Sequence, residues 1–422
     1  MTYSNFKRAF DGGLRSAGSL GALGALLLAH GHAFAQAAGT TPPPPPAPAT
    51  DAPVATSVPV PAPEPAAPTT ASESMPSTAT EEKLPPINVA AWLRIGARVQ
   101  GTTEPKKLND QSMDSVYGEL HAGGKIHKNV SVTLNLNANG LAGTAGIEDA
   151  IVGFDFMDPL HLWVGQLLVP VDRANYGGPF FMIPWNYPGF LTVGGTTTVM
   201  APHEGPNGRN AGAVVWGDFA GGAYKYLVGA FDNGSGTTSP LFSARLSADF
   251  IGKEPGFFGN ATYFGQQDIL ALAVGGQYQK KGSVGQAIPA MGMAPAVPAP
   301  TDNYAEFNAD ALAEFKLGDS GGWVTGDAAY YHFAGDYEGI HDAFYILAAV
   351  ASPKVGIGNI QPMLRYQMGK GDGGTKVSAI DAAVGYLMMG PALRTSLGFQ
   401  HTDLGNSRVG NALQLDVQAI FF

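Results

Sequence analysis

The chain has 422 residues, 45% of them apolar but only 14% charged, with 57 Gly, no Cys and a formal net charge of −10. A soluble globular protein of this size carries about 25% charged residues, so an ordinary soluble enzyme is a poor fit. The missing Cys excludes disulfides and thiolate metal sites, and the absence of a basic stripe excludes nucleic acid as a partner.

Residues 1–35 read as an export signal. Lys7, Arg8 and Arg15 supply a positive start, and Leu20 to Ala29 form an apolar core too short to span as a helix. Ala33-Phe34-Ala35 has the small-x-small pattern of a cleavage site. Residues 36–86 are rich in Pro and Ala and lack the apolar content for a core, so a disordered segment on the periplasmic side is expected. These first 86 residues carry a net charge of −2 and the remainder −8.

From Ile87 the pattern changes to strict alternation, the period of β-strands. Ile87, Val89, Ala91, Leu93, Ile95, Ala97 and Val99 share one face, with Asn88, Arg94, Arg98 and Gln100 on the other. Val130, Val132, Leu134 and Leu136 interleave with Ser131, Thr133, Asn135 and Asn137. Phe242, Ala244, Leu246, Ala248 and Phe250 interleave with Ser243, Arg245, Ser247 and Asp249. Sixteen strands are predicted, at 87–100, 114–127, 129–138, 147–156, 159–169, 209–218, 222–231, 240–251, 268–279, 303–317, 322–333, 342–350, 359–368, 376–388, 391–401 and 411–422. Three of them, 147–156, 268–279 and 376–388, are apolar or small on both faces.

So many strands with a whole apolar face suit an all-β transmembrane antiparallel barrel, which leaves no free edge in lipid. With the N-terminus in the periplasm, even-numbered connections should be short. Most are; 252–267 is long, and it leaves fourteen or eighteen strands as alternatives. Trp and Tyr near strand ends suit interfacial girdles or the lumen.

The last strand, Leu413 to Phe422, ends on an aromatic residue and looks like the C-terminal signal of bacterial outer-membrane barrels. Val164-Gly-Gln-Leu-Leu-Val-Pro170, Gly208-Arg-Asn-Ala-Gly-Ala-Val-Val-Trp-Gly-Asp218, Tyr226-Leu-Val-Gly-Ala-Phe-Asp-Asn-Gly234 and the turn Pro255 to Gly265 resemble Gram-negative porins of the phosphate-selective porin O and P family. The resemblance implies sixteen strands, a homotrimer, and a third external loop folded into the lumen, here residues 170–208. The family's phosphate-selective members use a ladder of lumen arginines and a lysine cluster. Here the loop holds only Arg173, Arg209 at its exit and His203, offset by Asp172 and Glu204, which argues against phosphate selectivity.

The loop is instead aromatic. Tyr176, Phe180, Phe181, Trp185, Tyr187 and Phe190 either pin it to the inner wall or line a path for ring-bearing solutes such as sugars. Expected pore-lining charges are Arg94, Arg98, Lys125, Arg245, Lys316 and Arg365 against Glu119, Asp249, Glu306, Asp310 and Glu314. Either opposed rows create a transverse field or the groups pair off and keep the lumen wet.

No metal spacing or Gly-x-Ser-x-Gly motif occurs, and Ser396 and His401 fall on opposite faces, so neither an enzyme nor a cofactor or metal site is expected. The expected function is passive, weakly selective diffusion of small hydrophilic solutes and ions across the bacterial outer membrane, in contact with its lipid and lipopolysaccharide. The alternatives are a non-conducting barrel that tethers envelope layers through the Pro-rich arm, or a phosphate-, anion- or sugar-selective porin.

Overall fold

A computed structural model describes residues 87–100, 110–140, 143–178, 180–185, 208–232, 239–284, 301–334, 340–371, 376–403 and 409–421. The expected export signal and Pro-rich segment lie outside these residues.

The strands run in chain order: β1 (Asn88–Gln100), β2 (Asp110–His127), β3 (Val130–Asn139), β4 (Thr144–Met157), β5 (Leu160–Leu168), β6 (Arg209–Phe219), β7 (Tyr224–Asp232), β8 (Leu241–Ile251) and β9 (Ile269–Val284). They continue with β10 (Thr301–Lys316), β11 (Trp323–Ala334), β12 (Ile340–Ala351), β13 (Lys354–Val355), β14 (Gly358–Gly371), β15 (Lys376–Leu387), β16 (Leu393–Asp403) and β17 (Val409–Phe421). A five-residue helix, α1 (Arg173–Gly177), follows β5.

Each strand pairs antiparallel with its chain neighbour, and β1 pairs with β17, from Ala91↔Phe421 to Gln100↔Ala412, which closes the wall. The two-residue β13 pairs with the same strand as β12, so the two form one stave. The result is a closed sixteen-stave antiparallel barrel. Every strand predicted from alternation coincides with one stave, and the fourteen- and eighteen-strand alternatives fall away. No helix among the described residues is long and apolar enough to cross a membrane; the staves are long enough to do so.

The two faces of the wall are chemically inverted relative to a soluble protein. Leu134, Val228, Leu246, Phe250 and Leu364 point outward and are exposed, while Arg94, Asn135, Glu314 and Arg365 point inward and are buried. The aromatic residues divide by the same parity. Tyr224, Tyr278, Tyr330 and Tyr366 are outside; Trp92, Tyr117, Trp163, Trp216, Trp323 and Tyr331 are inside.

The long connection 252–267 contains no strand. It turns inward, and Glu254, Phe257, Ala261, Thr262 and Phe264 are buried. Glu314 on β10 holds it by accepting from Thr262 Oγ1 at 2.6 Å, from the backbone N–H groups of Tyr263 at 3.2 Å and Gly265 at 2.7 Å, and from Thr325 Oγ1 at 2.9 Å. Gly265 has φ +72°, and a Cβ there would sit 2.6 Å from the Trp323 ring, so only Gly fits.

This insertion explains the three weakly patterned strands. Ile151 of β4 shares an apolar cluster with Phe257 and Ala261, Ala271 of β9 packs beneath Tyr263, and Leu387 of β15 clusters with Phe264. Their inner faces meet inserted chain rather than water, so they carry apolar residues on both sides.

Candidate functional site in the barrel lumen

The segment after β5 enters the lumen at Val169. Asp172 caps α1: its Oδ1 accepts from the Asn175 N–H at 3.1 Å, and its other oxygen accepts from the Tyr331 hydroxyl. Burial pushes the Asp172 carboxyl up to about 6, against the lowering effect of these hydrogen bonds. Gly178, with φ +55°, ends the helix and donates to the Ala174 carbonyl.

Beyond the helix, three backbone carbonyls are gripped by side chains well round the wall from β5. Gln418 Nε2 of β17 donates to Phe180 O at 3.1 Å, Arg394 Nη1 of β16 to Met182 O at 2.7 Å, and Arg94 Nη2 of β1 to Trp185 O. The rings lock into the same places. Phe180 and Phe181 meet Trp92 edge-on at 5.1 and 5.4 Å between ring centres. Ile183 packs with Leu347 and Met363. This segment therefore crosses the lumen and narrows it.

The second insertion meets the first. Arg173 Nη1 and Nη2 form a two-pronged pair with Glu254 at 2.7 and 3.0 Å, Nη1 also donates to Asn260 O at 2.8 Å, and Nε reaches Asp310 at 3.2 Å. Arg245 shares Asp310, at 2.9 Å from Nη2, and holds the Val171 carbonyl at 2.8 Å. Burial alone would raise the Glu254 carboxyl, but the Arg173 charge and hydrogen bonds bring it down to about 2. Beside this network, Phe257 stacks on Trp163 with 4.6 Å between centres, and His161 stacks on Trp216 at 3.9 Å.

Of the sequence-chosen wall residues, Arg94, Glu119, Arg245, Asp249, Glu306, Asp310, Glu314 and Arg365 are buried on the inner face, and Arg98 is half-buried there. Lys125 and Lys316 share the inward parity but lie at the rim of the short-turn end, exposed, where they donate to Lys128 O at 3.4 Å and Gln266 O at 3.0 Å. Of the loop residues, Asp172, Arg173, Tyr176, Phe181 and Trp185 are brought into the lumen; Tyr187, Phe190, His203 and Glu204 lie outside the described residues.

Several of the wall charges pair in direct contact instead of standing in separated rows. Arg245 and Arg173 converge on Asp310, Arg209 contacts Asp149 at 3.1 Å and Glu148 at 3.5 Å, and Arg365 meets Asp381 at 2.9 Å. Contact pairs cancel locally, so the transverse field expected from separated rows is largely lost.

Sequence reasoning missed Glu148, Asp149, Glu254 and Asp381. Glu148 and Asp149 are consecutive yet both point inward, because Asn135 opposes Asp149 while Leu136 opposes Ile147. That bulge breaks the alternation that would have found them. Asp381 sits on a weakly patterned strand, and Glu254 lies in the connection that the strand rule treats as a turn.

Comparison with solved structures agrees with this architecture. OprB of Pseudomonas putida matches with a TM-score of 0.54 and 10% identity, over 79% of this chain and 94% of that one. The fold is that of an outer-membrane porin barrel. OmpT of Vibrio cholerae, an outer membrane protein, matches in its trimer form with a TM-score of 0.52 and 9% identity, over 80% of this chain and 99% of that one. Its loop L8 deletion mutant matches with a TM-score of 0.51 and 11% identity, over 80% and 99%. No family model and no curated protein matches the sequence.

Proposed function

We propose that this chain is a bacterial outer-membrane channel for passive, weakly selective diffusion of small hydrophilic solutes and ions. One observation carries this reading: a closed wall whose outer side chains are apolar and exposed while its charged side chains point into the lumen. Such a wall satisfies its backbone within lipid and offers solutes a polar interior.

Weak selectivity follows from the pairing. Among the described residues the inner guanidiniums are tied to carboxylates, to loop carbonyls or, for Arg98, to the Gln400 amide, an arrangement unlike the open arginine ladder of the porin O and P family. The residues from 87 onward carry a net charge of −8, which tilts the channel mildly toward cations. In this reading, residues 1–35 direct export, 36–86 stay in the periplasm with both barrel ends, and the outer face meets lipid and lipopolysaccharide. A homotrimer is in keeping with the trimer form of the similar Vibrio cholerae barrel.

The rival is a non-conducting barrel that tethers envelope layers, and the apolar packing across one side of the lumen is what favours it. Liposome swelling separates the two. A channel admits small sugars and amino acids at rates that fall steeply with solute size. Swelling no faster than in protein-free liposomes would leave the structural role standing.

A further inference from the structure

The contact between the two inserted segments has no counterpart in a barrel narrowed by one loop. The segment 169–185 comes from the long-loop end and the segment 252–267 from the short-turn end, and they meet inside the wall. Arg173 and Glu254 form the joint; both are buried, and Tyr263 Oη adds a hydrogen bond to Glu254 at 2.7 Å. Next to the joint the backbones touch. A Cβ on Gly177 would lie 2.7 Å from both Ala261 Cβ and Ala261 N, closer than any side chain tolerates, so this position admits only Gly.

The second segment is itself fixed to the wall independently of the first. Asp249 accepts from the Glu254 N–H at 2.7 Å, Asp218 from the Gly256 N–H at 3.0 Å, and Lys225 Nζ donates to Phe258 O at 3.2 Å. A rigidly mounted Glu254 therefore presents a fixed point to Arg173. Arg173 in turn begins α1, from which the rest of the crossing segment extends to Trp185.

We propose that the channel constriction is built from both mouths, and that Glu254 acts as a positioning residue whose grip on Arg173 sets the width of the passage. This rests on the diffusion-channel reading. In a single-loop constriction the wall alone fixes the loop. Here the wall holds the segment's far end through Arg94, Arg394 and Gln418 and its near end through Tyr331, Arg245 and Asp310, and Glu254, delivered from the opposite mouth, adds a two-pronged grip on Arg173. Losing Glu254 leaves Arg173 on Asp310 and the Asn260 carbonyl and lets the start of α1 shift within its remaining wall contacts.

Two measurements test this separately from the channel reading. Ser247 lines the small cavity between Arg173, Tyr176 and Glu254, and the chain has no cysteine, so Ser247→Cys gives a single, nearly isosteric probe behind the joint. A water-soluble maleimide should label it slowly in the folded barrel and at least tenfold faster when Glu254→Gln is added, with Glu254→Asp restoring protection. Gly177→Ala, which forces the backbones apart, should speed labelling likewise. Equal labelling rates in barrels that resist unfolding as the parent does would overturn the proposal, whether or not the protein conducts.

The second measurement is the size of the largest neutral polymer that enters the pore in a planar bilayer. Glu254→Gln and Gly177→Ala should raise both conductance and cut-off, and Asp342→Asn, on the outer rim, should change neither. An unchanged cut-off in both variants would also overturn the proposal. A parent barrel that never conducts, with labelling still accelerated by Glu254→Gln, would overturn the channel reading while leaving the joint intact.

Discussion

The guanidinium of Arg94 lies over the Trp185 ring, with Cζ 3.5 Å from its centre, and the same side chain donates to the Trp185 carbonyl. One residue of β1 thus fixes both the ring and the backbone at the end of the crossing segment.

Arg94→Ala should release that end. A buried cation–π contact and a charged hydrogen bond together are worth about 2–4 kcal/mol, which should appear as a lower unfolding midpoint of the refolded barrel. Current through the variant should also be noisier. A quiet trace at parental stability would mean that the segment is held elsewhere.

Asp172 gives a pH dependence with a definite sign. Its carboxyl is raised to about 6, chiefly by burial, so folding favours the protonated form. Its contribution to stability is full below the unfolded value of about 4 and is lost as pH rises through about 6. Protease resistance of the 169–185 segment should therefore fall between pH 4 and 7, and Asp172→Asn should flatten that fall. An unchanged slope in the variant would assign the effect to another group. Glu254, lowered to about 2, works in the opposite sense: its stabilisation is present above about 4 and is lost as pH falls through about 2.

The two faces of one strand should respond differently to the same substitution. Leu134 is outward and 41% exposed, and Asn137 on the same strand points inward. Leu134→Arg should cost about 2–4 kcal/mol in folding into a bilayer, whereas Asn137→Arg should cost little and shift ion preference toward anions. Equal costs would contradict the assignment of faces.

How much of this was legible in sequence depends on what each face touches. Where the inner face carries polar side chains, as with Asn135 and Asn137 alternating with Leu134 and Leu136, alternation located the strand. Where it meets inserted chain, as at Ile151, Ala271 and Leu387, polarity vanished and only length and flanking turns remained. The bulge at Glu148 concealed two inward carboxylates, since a period of two cannot register an extra residue. Arg173 and Asp172 were found through their place in a loop. Their partner Glu254 was not, because the joint connects residues 81 positions apart, and no local pattern encodes it.

The central claim is a conducting, weakly selective barrel. It is tested most directly by recording the purified protein in a planar bilayer under a salt gradient. The account predicts stepwise conductance that grows with salt concentration, and a reversal potential slightly displaced toward cation preference. Silence across voltages and salts would contradict the channel, and a reversal potential near the ideal anion value would contradict the paired-charge lumen.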